Sequence, residues 1–153
     1  MTTPKYYFED FKPGSIARYG AMPVERAEVI AFAAQYDPQP MHLDEAAGAQ
    51  SLLGGLAASG WQRCAFLMRL IAAEFILDSA GMGAPGVDSV RWLLPVRPGD
   101  VLSVRHEVLE ARASQSKPNR GFVKFKFELL NQRGDVVLEQ INSIIFARRG
   151  RGA

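Results

Sequence analysis

Cysteine is nearly absent from this 153-residue chain: Cys64 stands alone, so no intramolecular disulfide can staple the fold. Histidine is almost as scarce, with only His42 and His106. No uninterrupted apolar run approaches the ~18 residues that a membrane helix needs, and the opening "MTTPKYYFED" has no apolar core of the signal-peptide kind. These absences predict a cytoplasmic protein with no membrane partner. A large charge of either sign is also missing: 18 basic against 16 acidic side chains give a net +2, too little to argue for nucleic acid as a partner. There is no internal repeat, low-complexity tract or linker, so residues 1–153 read as one domain. A chain of this length buries roughly two-thirds of its unfolded surface. The closing "ARRGRGA" reads as a short basic tail from about residue 148, open to solvent.

What the chain does have is a change of period part-way along. "IARYGAMP" suits a short strand ending at Pro23, and "VERAEVIAFAAQY" spaces Val29, Ile30, Phe32, Ala33 and Tyr36 as one helix face. Asp44 is a good N-cap for a short helix over "EAAGAQ". The longest helical candidate runs from Ser59, as N-cap, to Gly81 as the C-terminal glycine. It is apolar on most faces, which predicts that other structure surrounds it. From residue 87 the period becomes two: "GVDSVRWLLPV", "DVLSVRHEVLEARA", "GFVKFKFELL" and "DVVLEQINSIIFARR" read as strands separated by "RPGD", "SKPNRG" and "NQRGD". Val123, Phe125, Phe127 and Leu129 alternate with Lys124, Lys126 and Glu128, the pattern of an antiparallel sheet with one wet face. The expected class is α+β, a curled antiparallel sheet wrapped round one long central helix. Such a sheet leaves exposed edges, and a second copy of the chain is a common way to cover them.

The stretch "YDPQPMHLDE" carries the chemistry. Pro38 and Pro40 push Asp37 and Gln39 out of helical backbone, which predicts a stiff, non-helical turn holding an acid and an imidazole five residues apart. Asp37 and His42 could hold one water between them, one group taking its proton and the other aligning it or returning a proton. Negative charge that develops on a substrate needs a donor. If Ser59 caps the long helix, the Gly60 and Trp61 amides lie in its first turn, where N–H groups are unpaired and the dipole favours an anion. A thioester carbonyl passing into an enolate fits such a place.

"YDPQPMHLDEAAGAQSLLGGLAASGW", taken with "VRWLLPVRPGDVLSVRHEVLEA", resembles the MaoC-like dehydratase family, which includes the (R)-specific enoyl-CoA hydratases of the hot-dog fold. The likeness runs from about Phe8 to Phe146 and rests on D-x-x-P-x-H followed by a glycine at the start of the central helix. The resemblance implies a single hot-dog domain, a homodimer, and syn hydration of a trans-2-enoyl coenzyme A thioester, or the reverse dehydration of a 3-hydroxyacyl thioester, with no metal or redox cofactor. It implies that Asp37 and His42 are the catalytic pair and that the Gly60 amide binds the thioester oxygen. Two positions depart from the family pattern: Gln39 stands where asparagine is usual, and Ser59 where many members have histidine.

Rival readings are a hot-dog acyl-CoA thioesterase, a non-catalytic acyl-CoA-binding domain, and an iron oxygenase that would use His42, Asp44 and His106. Asp44 is already explained as a cap, and His106 lies in an alternating strand where packing suffices. Cys64 reads as a small core residue rather than a nucleophile. Phe122, Phe125 and Phe127 read as sheet core, and Arg91, Arg97, Lys117 and Arg120 as solvated surface.

Overall fold

The computed structural model describes residues 2–152. Five strands form one antiparallel sheet: β1 (Ile16–Pro23), β2 (Ser89–Trp92), β3 (Val101–Ala113), β4 (Arg120–Leu130) and β5 (Val136–Ala147), in the spatial order β1-β3-β4-β5-β2. Strict alternation in β4 buries Val123, Phe125, Phe127 and Leu129 against the core while the lysines between them stay at the surface. Phe122 is half-buried on the opposite face, under the Arg112 guanidinium. The sheet curls round α3 (Gly60–Ile71), which contributes Phe66, Leu67 and Ile71 to the same core. Each wholly buried phenylalanine, such as Phe125 or Phe146, contributes roughly 2–3 kcal/mol through removal from water. This is the hot-dog architecture the sequence predicts.

Several boundaries differ from expectation, each for a local reason. The helix that starts at Ser59 stops being α-helical at Ile71 and ends in a π-helical turn over Ala72–Ile76. Gly81 is therefore not its C-cap: it lies beyond the helix and forms an isolated bridge to Phe146. Nor is α3 surrounded on all sides, because Trp61 and Met68 are 61% and 47% exposed on its outer face. Strand β2 is shorter than its apolar run, since the Leu93 and Leu94 amides both turn to the Val137 carbonyl and Pro95 has no amide to continue the ladder. Tyr36, expected on the apolar face of α1 (Arg26–Tyr36), points outward, while Val29 and Ala33 are buried.

Nor does the basic tail begin as free chain. The Arg149 guanidinium pairs with Asp10 at 2.7 Å, its backbone amide donates to Glu9 Oε2 at 3.0 Å, and Arg148 lies 3.6 Å from Glu9. The chain end thus closes over the N-terminal segment. Arg97 is likewise engaged rather than free: its guanidinium donates to the carbonyls of Leu53 and Leu56. Among the described residues no helix is long and apolar enough to cross a membrane.

Candidate active site

Helix α1 ends where the proline rule says it must. Asp37 precedes Pro38 and leaves helical backbone at φ −153°, ψ 68°, while its amide still donates to the Ala33 carbonyl. Gln39 is extended, and the chain then tightens into one 3-10 turn over Pro40–His42 with Pro40 at its first position. The segment is thus partly helical, against the expectation of a wholly non-helical turn, because proline fits the first position of a helical turn. That turn brings His42 back beneath Asp37. Asp44 then caps α2 (Glu45–Gln50) by accepting from the Ala47 amide at 2.9 Å.

Opposite this turn runs the buried, irregular segment 55–59, held by the Ala58 amide on the Val96 carbonyl of the β2–β3 connection. It offers His42 a carbonyl: Nδ1 lies 2.7 Å from the Ala57 oxygen. A carbonyl only accepts, so Nδ1 carries the proton and, in the neutral ring, Nε2 keeps a lone pair. Nε2 faces Oδ2 of Asp37 at 3.5 Å. Both side chains are largely buried, at 7% and 15% exposed.

Asp37 is held on both oxygens. Ser59 Oγ donates to Oδ2 at 2.6 Å and the Gln39 amide donates to Oδ1 at 2.7 Å. The Ser59 hydroxyl, with help from Gln39 and the nearby His42, holds the carboxyl below its usual range against the opposing effect of burial. The two departures from the family pattern are therefore the two side chains that grip the candidate acid. Ser59 also caps α3, accepting from the Trp61 amide at 3.3 Å. Of the two amides proposed for an oxyanion, Trp61 is thus engaged, and the Gly60 N–H has no backbone partner among the described residues.

Gly60 is required by packing as well. A Cβ there would stand 2.6 Å from two ring carbons of Trp92, so the indole lies directly on the glycine. Trp61 meets the same indole edge-on, with ring centroids 5.1 Å apart. Asp37, His42, Gly60, Trp61, Arg63 and Trp92 all border one hollow of about 240 Å³. The three expected site residues are brought together. Trp92 and Arg63 are the additions: Arg63 is three residues after Gly60 and shares its helix face, a spacing visible in the sequence, whereas Trp92 arrives through strand β2.

His106 belongs elsewhere. Its Nδ1 is 2.8 Å from the Tyr19 hydroxyl, and its ring is enclosed by Phe75, Phe125 and Phe127. Burial pushes its pKa down to about 4. Among the described residues no three histidine, cysteine or carboxylate side chains form a group that could hold a metal ion.

A family model described as "MaoC like domain" matches residues 12–124, which include Asp37, His42, Gly60, Arg63 and Trp92. The chain belongs to that MaoC-like family. It is similar to the crystal structure of a MaoC-like dehydratase from Rhodospirillum rubrum, with 40% identity and a TM-score of 0.88 over 95% of this chain and 99% of that one. It is also similar to the R-hydratase PhaJ1 from Pseudomonas aeruginosa, at 25% identity and a TM-score of 0.70, covering 96% of this chain and 92% of that one. A Mycobacterium tuberculosis protein with a double hotdog fold shares the architecture at 17% identity and a TM-score of 0.80, over 97% of this chain and 46% of that one. The MaoC-like site thus carries a carboxylate and an imidazole at the mouth of a helix, in a family with dehydratase and hydratase relatives.

Proposed function

We propose that the chain is a hydro-lyase that adds water to a 2-enoyl thioester of coenzyme A, or removes it from the 3-hydroxyacyl thioester. The observation that carries this reading is the convergence on one hollow of Asp37, His42 and the Gly60 amide, which has no backbone partner among the described residues. The thioester oxygen would lie at the Gly60 N–H, so that charge moving onto it in the transition state meets a donor at the positive end of α3. C2 and C3 would then face Asp37 and His42. A water in the hollow gives one proton to this pair as its oxygen bonds to C3, and the C2–C3 electrons shift toward the thioester oxygen. The enolate is quenched when the pair returns a proton to C2. The ionised carboxylate and the Nε2 lone pair share these acid and base roles. The steps add the elements of water across C2–C3 with no net oxidation or reduction, and call for no metal or redox cofactor.

The working unit in this reading is a homodimer. Trp61 and Met68 on α3, Trp92 at the end of β2 and Leu93 and Leu94 just beyond it are all between 42% and 61% exposed, and β2 has an open edge. Covering these apolar side chains and that edge with a second copy removes both liabilities.

The test is incubation with trans-2-enoyl coenzyme A thioesters of graded chain length. Hydration removes the conjugated enoyl absorbance without releasing thiol. Release of free thiol instead would make the chain a thioesterase, and binding without either change would make it a carrier domain.

A further inference from the structure

Arg63 is a buried cation that the proposed mechanism does not use. The residue is 8% exposed and borders the hollow that contains Asp37, His42 and Gly60. One end of its guanidinium is anchored: Nη1 donates to the Leu94 carbonyl at 2.7 Å, with the Val137 carbonyl at 3.5 Å. Its Nε is buried with no hydrogen-bond partner among the described residues. Among the described residues no Asp or Glu pairs with it, and burial depresses its pKa. Its Cζ stands 5.8 Å from the centre of the Trp92 ring, on the indole that covers Gly60.

Three features of this position disfavour a cation. It is withdrawn from water, it lacks a carboxylate, and it lies in the first turn of α3, where the helix dipole is already positive. An anion entering the hollow would offset all three at once. The Gly60 amide can absorb the transient charge of an enolate, but a permanent cation calls for an anion present in the bound ground state. The phosphates of coenzyme A are poor candidates, because the whole pantetheine arm separates them from a carbonyl held at Gly60. Arg63, one helical turn from Gly60 and on the same hollow, is near enough to meet an acyl group whose carbonyl is held there.

We infer that the acyl group carries a carboxylate within a few bonds of the thioester, and that Arg63 recognises it: the substrate class is the monothioester of a short unsaturated dicarboxylic acid. This inference rests on the hydro-lyase reading for its chemistry, and on the geometry around Arg63 for the carboxylate. Trp92, packed against both Gly60 and the guanidinium, would form the wall along which the acyl chain lies. Asp37 repels such a substrate, and the Arg63 charge compensates for that repulsion.

The experiment compares two matched pairs of probes on the wild-type protein. Glutaconyl-CoA and crotonyl-CoA differ by a terminal carboxylate and report turnover; glutaryl-CoA and butyryl-CoA differ in the same way and report binding by titration calorimetry. The expected result is a preference of at least about tenfold for the carboxylated member of each pair, as one charge-assisted hydrogen bond in a partly dry site provides. In Arg63→Gln, glutaconyl-CoA should lose roughly 100-fold in kcat/KM, mostly through KM, and the preference over crotonyl-CoA should disappear. Equal treatment of both members, or preference for the uncharged one, overturns the inference. So does an equal fall in kcat for both substrates in Arg63→Gln, which would assign Arg63 to the enolate instead. If the wild type hydrates neither probe nor any other 2-enoyl-CoA of the graded panel, the hydro-lyase reading fails, yet the glutaryl and butyryl titration still decides the carboxylate claim. If Arg63→Gln does not fold, the wild-type pairs decide it alone.

Discussion

The Ser59 hydroxyl donates to Oδ2 of Asp37 at 2.6 Å, and that same oxygen faces Nε2 of His42 at 3.5 Å. One serine therefore ties together the start of the central helix, the candidate carboxylate and the imidazole. Its removal should act on all three.

In Ser59→Ala, the loss of a donor lets the Asp37 pKa rise toward its ordinary value, because the hydroxyl is the main influence holding it down. The activity of an ionised Asp37 is then lost at a higher pH as acid is added, so the acidic limb of the kcat/KM profile moves upward. A fall of about 10- to 100-fold in kcat/KM is expected. Loss of the α3 cap should cost about 1 kcal/mol besides. A pH profile that superimposes on the wild type would show that Ser59 acts as a cap alone.

Gly60→Ala tests the packing of the indole on the glycine. The new Cβ would meet Trp92 ring carbons at 2.6 Å, so the ring must move, at an expected cost of about 1–3 kcal/mol. Thermal melts of Gly60→Ala with and without Trp92→Leu check this: the second change should recover much of the lost stability. Unchanged melting of Gly60→Ala would contradict the stacking.

The fate of these residues shows what could be read from sequence. Ser59 as a cap, Asp37 as a helix end and the alternation through Phe125 and Phe127 are local matters of backbone preference and periodicity, and the structure has each of them where the sequence predicts. The convergence of Asp37, His42 and Gly60 was legible through the family pattern, since nothing local brings residue 60 to residue 37. Trp92 was not legible, because its contact with Gly60 depends on how β2 joins the sheet beside β5. Gly81 misled because a glycine after an apolar run looks like a C-cap, whereas the helix had already closed with a π-turn at Ile76. The spacing of Arg63 from Gly60 is visible in the sequence, but its burial without a carboxylate partner is not.

His106 makes stability depend on pH. Burial lowers its folded pKa from 6.5 to about 4, so between these values the unfolded chain binds a proton that the folded chain refuses. The stabilisation is complete above the unfolded pKa and is lost as pH falls through the window, reaching about 3 kcal/mol. Denaturant melts from pH 7 to 4 should show this slope, and His106→Gln should flatten it. Parallel slopes in the two proteins would contradict the assignment.

Met68 lies on the exposed face of α3, away from the acid and base. If a second copy covers this face, Met68→Glu buries an unpaired charge at the interface and should weaken the dimer by at least about tenfold in Kd. Sedimentation across a concentration range checks it. A wild-type monomer at every concentration would count against the dimer.

The central claim is that Asp37 and His42 jointly move the protons of a hydration. The most direct measurement is the rate of enoyl absorbance loss with a panel of 2-enoyl-CoA thioesters, in wild type, Asp37→Asn and His42→Ala. Hydration by the wild type that falls by roughly two or more powers of ten in each variant is the predicted result. Wild-type hydration that survives in either variant, or measurable thioester binding with no hydration at any chain length, would contradict the account.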